Sequence, residues 1–193
     1  MTKSIEVEVR ILLKNRPAVE REIKKRGAKM VYFEKLKDYW YCPNHAKNFE
    51  QASTDKTGFA LRIRKSIDNY TGKQTATLEC KTLCNGKDHA MCNEYCVDLQ
   101  DTDQMRKILQ SIGLREFLVI NKERTIYQLD ETKFCFDDIE GVGRGLEIEI
   151  MTRTDVEKTH QRLVNLALDL GIAKQEILEK SLTYLAMKKL AKF

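Results

Sequence analysis

Ile5-Glu6-Val7-Glu8-Val9-Arg10-Ile11 alternates strictly between apolar and charged side chains. Few backbone conformations can use that pattern. A strand sends successive side chains to opposite faces, so the segment has one apolar face and one charged face. Leu146-Glu147-Ile148-Glu149-Ile150 repeats the arrangement near the other end, and Leu61-Arg62-Ile63-Arg64 repeats it with cations. Ordinary solvent faces mix both signs with Thr, Ser and Gln. Strand faces carrying a single sign of charge ask for a partner of the opposite sign.

Two arrangements accommodate these strands. One is an antiparallel sheet with its charged face in water. The other is a closed barrel with a charged interior and helices on its apolar outer face, large enough at eight strands to hold one small ligand. Any one strand fits the first. Taken together, Glu6, Glu8, Arg10, Arg62, Arg64, Glu79 or Lys81, Glu94, Lys122, Arg124, Asp137, Glu147 and Glu149 favour the second. Converging glutamates repel one another unless a cation compensates them. Carboxylates without His or Cys partners suit a hard cation, Mg²⁺ or Mn²⁺. Arginines and lysines on facing walls suit phosphate oxygens. This is the equipment of phosphoryl or nucleotidyl chemistry.

The 193 residues suit a single domain over 1–193, with 42% hydrophobic residues and no apolar run that could span a bilayer. The start, Met1-Thr2-Lys3-Ser4-Ile5-Glu6, lacks a signal-peptide pattern, so the six cysteines are expected as reduced thiols in the cytoplasm. A net charge of +5 spread along the chain favours a small polyanion over nucleic acid as partner. Neither monomer nor homodimer is selected.

After the first strand, Asn15, Pro17 and Gly27 predict a capped helix with Val19 and Ile23 inward. Strand signals follow at 30–41, then a polar loop at 43–58. Further strands are expected at 59–67, 75–83, 92–99, 118–129, 133–138 and 145–152, with a turn at Asn85-Gly86. Thr102 or Asp103 begins a helix ending at Gly113, and Thr154 with Glu157 reads as a capping box for one ending at Gly171. A last helix is predicted over 174–191, burying Ile177, Leu178, Leu182, Leu185 and Leu190. The fold class is α+β, with about eight strands and four helices lacking parallel-sheet alternation.

These residues resemble the CYTH, or triphosphate tunnel metalloenzyme, superfamily. Its Glu-x-Glu-x-Lys strand stands here as Glu6-Val7-Glu8-Val9-Arg10. Asp38-Tyr39-Trp40-Tyr41-Cys42-Pro43, Phe49, Ala60-Leu61-Arg62-Ile63-Arg64, Lys122-Glu123-Arg124 with Tyr127, and Asp137-Asp138-Ile139-Glu140-Gly141 leading to Glu147-Ile148-Glu149 are similar to the class IV adenylyl cyclase branch. So is Glu179-Lys180-Ser181-Leu182-Thr183-Tyr184-Leu185, with Leu182 where Tyr is usual. The resemblance implies an eight-stranded antiparallel tunnel with helices outside. By position it implies metal binding by Glu6, Glu8, Glu147 and Glu149 with Asp137 assisting, and phosphate binding by Arg10, Arg62, Arg64, Lys81, Lys122 and Arg124. Arg62, Arg64, Lys122 and Arg124 would carry the catalytic positioning. The implied substrate is ATP, cyclised to cyclic AMP and pyrophosphate. Tripolyphosphate or thiamine triphosphate hydrolysis is the alternative, and non-catalytic nucleotide or polyphosphate binding the third. Cys92-Asn93-Glu94-Tyr95-Cys96 departs from the family's Arg-x-Glu-x-Glu strand.

Cys80, Cys84, Cys92 and Cys96 are symmetric about Asp88, so a hairpin centred there would oppose Cys80 to Cys96. Their spacing is not that of a zinc site, and four small apolar fillers are the expectation. If Lys81 and Glu94 face the tunnel, Cys92 and Cys96 face it as well, while Cys80 and Cys84 point away. His45, His89 and His160 are scattered and expected at the surface.

Overall fold

A computed structural model of the chain describes residues 5–83, 92–153 and 155–191. Nine strands form one sheet: β1 (Ile5–Leu12), β2 (Lys29–Pro43), β3 (Phe59–Asp68), β4 (Gln74–Leu83), β5 (Cys92–Asp98), β6 (Leu114–Leu129), β7 (Thr132–Ile139), β8 (Gly143–Thr152) and β9 (Ile177–Leu178). Their order is β5-β4-β3-β2-β6-β7-β8-β1-β9, and every ladder is antiparallel. The helices are α1 (Arg16–Lys25), α2 (Phe49–Ala52), α3 (Thr54–Thr57), α4 (Thr102–Ser111), α5 (Val156–Asp169) and α6 (Leu182–Leu190).

The sheet is strongly curled. Lys81 Nζ on β4 lies 3.4 Å from Glu6 Oε1 on β1, although β3, β2, β6, β7 and β8 stand between them in the order. In a flat sheet those six spacings would separate the two strands by about 29 Å. Among the described residues no ladder joins β5 to β1, so the sheet curls round without the closed ring of hydrogen bonds expected of a barrel. Part of the free edge of β1 is taken by β9, which pairs with Arg10 and Ile11.

Local chemistry explains most of the elements. Asn15 accepts from Ala18 N at the start of α1, and Gly27 follows its end with φ +94°, a left-handed conformation that favours glycine. Asp101, one residue before Thr102 and two before Asp103, accepts from both Asp103 N and Gln104 N to start α4. Asp155 caps α5 through Lys158 N. Thr154 lies outside the described residues, as does the turn at Asn85-Gly86. The polar loop after β2 contains the two short helices α2 and α3. The long last helix is corrected. Lys174–Glu176 is a 3-10 turn, Ile177 and Leu178 join the sheet, and Ser181 restarts the helix by accepting from Tyr184 N.

Two apolar layers coat the convex side. Val7, Val9 and Ile11 of β1 and Phe134 and Phe136 of β7 pack with Ile23 of α1 and Leu163 of α5. Ile63 and Leu61 of β3 pack with Leu109 of α4. Burying such side chains contributes about 1.5–3 kcal/mol each.

The sixth helix differs from the expectation that all helices pack outside. Leu182 and Ala186 of α6 join Trp40, Leu118, Ile120 and Ile139, whose parity along β2, β6 and β7 places them on the concave, charged face. That face turns apolar at this end, and the helix covers it. Gly145 on β8 makes the approach possible, because a Cβ there would lie 2.2 Å from Leu182 Cδ1. Gly145→Ala is therefore expected to cost about 1–3 kcal/mol by overpacking. Adding Leu182→Ala should recover part of that loss, which urea melts of the single and double variants would check.

Candidate functional site

Alternation along eight strands delivers the charged side chains to one concave face. Glu8 pairs with Glu149 and Arg10 with Glu147 across β1 and β8. Arg124 pairs with Asp137 across β6 and β7. Asp38 pairs with Arg64 across β2 and β3, and Lys81 with Glu94 across β4 and β5. Directly paired residues share a face, so all the sequence-predicted site residues lie on it. They form three groups.

In the first, Asp38, 2% exposed, holds two arginines. Arg64 donates through Nε at 2.7 Å and Nη2 at 2.8 Å, and Arg62 donates through Nη1 at 3.3 Å. Arg62 Nε also donates to Glu79 at 2.8 Å, and Glu79 accepts from Thr77 Oγ1 at 2.8 Å. Burial alone would raise the pKa of Asp38, but the Arg62 and Arg64 charges outweigh it and hold the carboxyl well below the usual range.

The second group is built on Asp137, 1% exposed. It accepts from Lys122 Nζ at 2.7 Å and from Arg124 Nε and Nη2, each at 2.6 Å. Arg124 Nη2 also donates to Glu147 at 2.6 Å. Burial tends to raise both carboxyls, and Arg124 overrides it in each, lowering their pKa values. Burial, with Arg124 adding repulsion, lowers the pKa of Lys122.

The third group is acidic. Glu6, Glu8 and Glu149 present carboxylate oxygens within 4.8 Å of one another. Burial, the Glu147 charge and then Glu6 and Glu8 push Glu149 up to about 8. Burial followed by Glu147 also raises Glu8. Arg10 is buried and donates to Glu8 Oε1. Lys81 Nζ lies 3.4 Å from Glu6 and 3.6 Å from Glu94, whose charges, with Glu8, outweigh burial and hold the ammonium above its ordinary pKa.

The five acids expected as metal ligands thus separate. Glu6, Glu8 and Glu149 converge, whereas Glu147 and Asp137 are engaged by Arg124 and Lys122. Glu79 and Lys81 both face inward. Two inward residues received no role from sequence reasoning, Asp38 and Trp40. Their common parity on β2 was visible, but the partners across β3 were not. The cysteines differ by one register step: Cys80 opposes Tyr95, and Cys96 opposes Glu79. Cys84 and His89 lie outside the described residues. Cys42, Cys80, Cys96 and Cys135 are free thiols, and burial raises the pKa of each.

A cavity of about 950 Å³ follows one row of the sheet, from Gly143 through Ile139, Lys122, Leu36 and Ser66 to Thr75. That is ample for a nucleotide-sized ligand, and Lys122 links it to the charged groups.

The model of the CYTH domain matches residues 4–182. A Methanocaldococcus jannaschii protein named "Putative adenylate cyclase MJ0240" is 29% identical over 183 residues, 92% of this chain and 95% of that protein. "Adenylate cyclase CyaB" of Aeromonas hydrophila is 31% identical over 87 residues, 44% of this chain and 46% of its own length. Among solved structures, the PH1819 protein of Pyrococcus horikoshii superposes with a TM-score of 0.78 at 23% identity, covering 95% of this chain and 99% of its own.

The pairing of Asp38 makes a testable statement about acid stability. Its folded-state pKa is depressed below the ordinary 3.8, so its contribution is present above that pH and lost as pH falls through the folded value. Asp38→Asn leaves two half-buried guanidiniums without their shared counter-ion and is expected to destabilise by about 3–5 kcal/mol at pH 7. The variant should also lose less further stability than the parent between pH 5 and pH 2. Urea melts across that range would check both the offset and the flattened acid limb.

Proposed function

The chain belongs to the CYTH domain family, and from that premise we propose that it is a divalent-metal-dependent enzyme acting on a small-molecule triphosphate at the concave face. The observation that carries this reading is the juxtaposition of three converging carboxylates with four cations that Asp38 and Asp137 already fix. The specific reaction proposed is cyclisation of ATP to cyclic AMP and pyrophosphate, as the names of the two relatives suggest. A single domain over 1–193 would suffice. The free thiols fit a cytoplasmic setting.

Glu6, Glu8 and Glu149 fit a hard divalent cation, Mg²⁺ or Mn²⁺, because all three donors are carboxylate oxygens and Arg10 and Lys81, beside Glu8 and Glu6, offset their mutual repulsion only in part. When bound, such an ion supplies Lewis-acid stabilisation of phosphate oxygens. Glu147 and Asp137 would serve instead to position Arg124 and Lys122.

The protein's own groups would do the rest. Arg62, Arg64, Lys122 and Arg124 each point a charged donor group into the same face while a carboxylate restrains it. They would take the phosphate chain without first being ordered. In cyclisation the ribose 3′-hydroxyl gives up its proton to water as its oxygen forms a bond to the α-phosphorus, and the bond from that phosphorus to the oxygen bridging it to the β-phosphorus breaks. The negative charge gathering on the departing pyrophosphate is what these cations would meet. Arg10 and Lys81, held by Glu8 and Glu6, stand on the acidic side and would bind phosphate oxygens nearest the ion.

The same cations would hold tripolyphosphate or thiamine triphosphate equally well, with water as the nucleophile. Incubation with each substrate and Mn²⁺ separates these readings: cyclic AMP with pyrophosphate is expected from ATP, while orthophosphate would favour the hydrolase. Glu8→Gln and Glu149→Gln are each expected to lower turnover by more than about a hundredfold and to abolish the rise in melting temperature that Mn²⁺ gives the parent. Tight triphosphate binding without turnover at any metal concentration would establish a binding protein instead.

A further inference from the structure

Trp40 is the sole tryptophan of the chain. It is 6% exposed, and its indole Nε1 is buried with no hydrogen-bond partner. An indole N–H sealed from water without an acceptor is unfavourable, and native proteins seldom leave one. Phenylalanine would fill most of the same space without that penalty. The neighbouring core does use Phe117, Leu118 and Ile120.

Its surroundings show what kind of acceptor is missing. Trp40 lies on the concave face beside Asp38 and pairs directly with Arg62 across β2 and β3. The Arg62 guanidinium carbon stands 5.1 Å from the ring centroid. The donor is therefore next to one of the cations assigned above to the phosphate chain. The cluster that Trp40 belongs to is apolar, with Leu182, Ala186 and Met187 of α6 and Ala46 and Ala52 of the β2–β3 connection among its members. None of those side chains offers an oxygen.

We infer that Trp40 is a substrate-positioning residue whose Nε1–H donates to a phosphate oxygen of the bound triphosphate, alongside Arg62. The inference rests on the triphosphate reading of the face. Because Nε1 is sealed in the ligand-free protein, the contact forms only as the apolar cluster around it gives way. Binding at the charged face and movement of the α6 end of that cluster are then one event. The donor recovers its hydrogen bond in the complex, so part of the binding energy comes from relieving an unfavourable group.

The sole tryptophan is also the reporter. Tripolyphosphate with Mn²⁺, and the α,β-methylene analogue of ATP with Mn²⁺, can be titrated into the full chain while indole emission and heat are both recorded. The expected result is a saturable emission change whose midpoint matches the heat. Trp40→Phe is expected to melt no lower than the parent and to raise KM about tenfold with kcat nearly unchanged. Heat of binding without an emission change overturns the assignment of Trp40 and leaves the triphosphate reading standing. So does an unchanged KM in Trp40→Phe, the outcome of a purely structural role. No heat with either ligand removes both. If Trp40→Phe does not fold, emission and heat from the unsubstituted chain decide.

Discussion

Two buried aspartates make the concave face possible. Arg62, Arg64, Lys122 and Arg124 are four cations brought onto one curled surface, where the low dielectric strengthens their repulsion. Asp38 and Asp137 each bind two of them through hydrogen bonds of 2.6–3.3 Å. Ion pairs in such places seldom add net stability, since desolvation absorbs most of the attraction. Their effect is geometric. A long, flexible cation tied at one of its nitrogens has few rotamers left, so its remaining donors keep one direction.

The acidic side obeys the opposite logic. Glu147 resembles Glu6, Glu8 and Glu149 in type and parity, yet Arg124 lowers its pKa while burial and repulsion push Glu149 up to about 8. The same residue type thus serves two purposes across one strand pair. One carboxylate orients a cation, while the other three crowd together in excess of the two cations beside them, Arg10 and Lys81. The excess is a standing cost to the folded protein, and it is concentrated where a cation would relieve it.

Much of this was legible in the chain. Strict alternation in β1 and β8 placed four glutamates on one face, and Leu61-Arg62-Ile63-Arg64 did the same for two arginines. Capping chemistry set α1 and the ends of α4 and α5 to within a residue or two. What stayed hidden depends on contacts distant in sequence. Whether Glu147 or Glu149 joins Glu6 is decided by Arg124 reaching across β7, which no spacing within β8 reveals. The role of Asp38 follows from its pairing with Arg64. The 174–191 segment carries apolar residues at helical spacing, so only the open edge of β1 and the cap at Ser181 disclose that Ile177 and Leu178 extend the sheet.

The seam of the curl ties these features together. Where a barrel would have a ladder between its first and last strands, the described residues meet across the gap through side chains: Glu94 on β5, Lys81 on β4 and Glu6 on β1, at 3.6 and 3.4 Å. Lys81 and Glu6 are about one-third exposed, so water and salt weaken this bridge far more than they would a row of backbone hydrogen bonds. Glu6 is also one of the three converging carboxylates. Any cation settling among them competes with Lys81 for Glu6, and any anion drawn to Lys81 competes with Glu94 for the ammonium. The charge state of the site and the closeness of the seam are therefore coupled through single residues. A backbone ladder at this position would have fixed the curl regardless of what the face held. An ion-paired seam leaves it responsive to its contents.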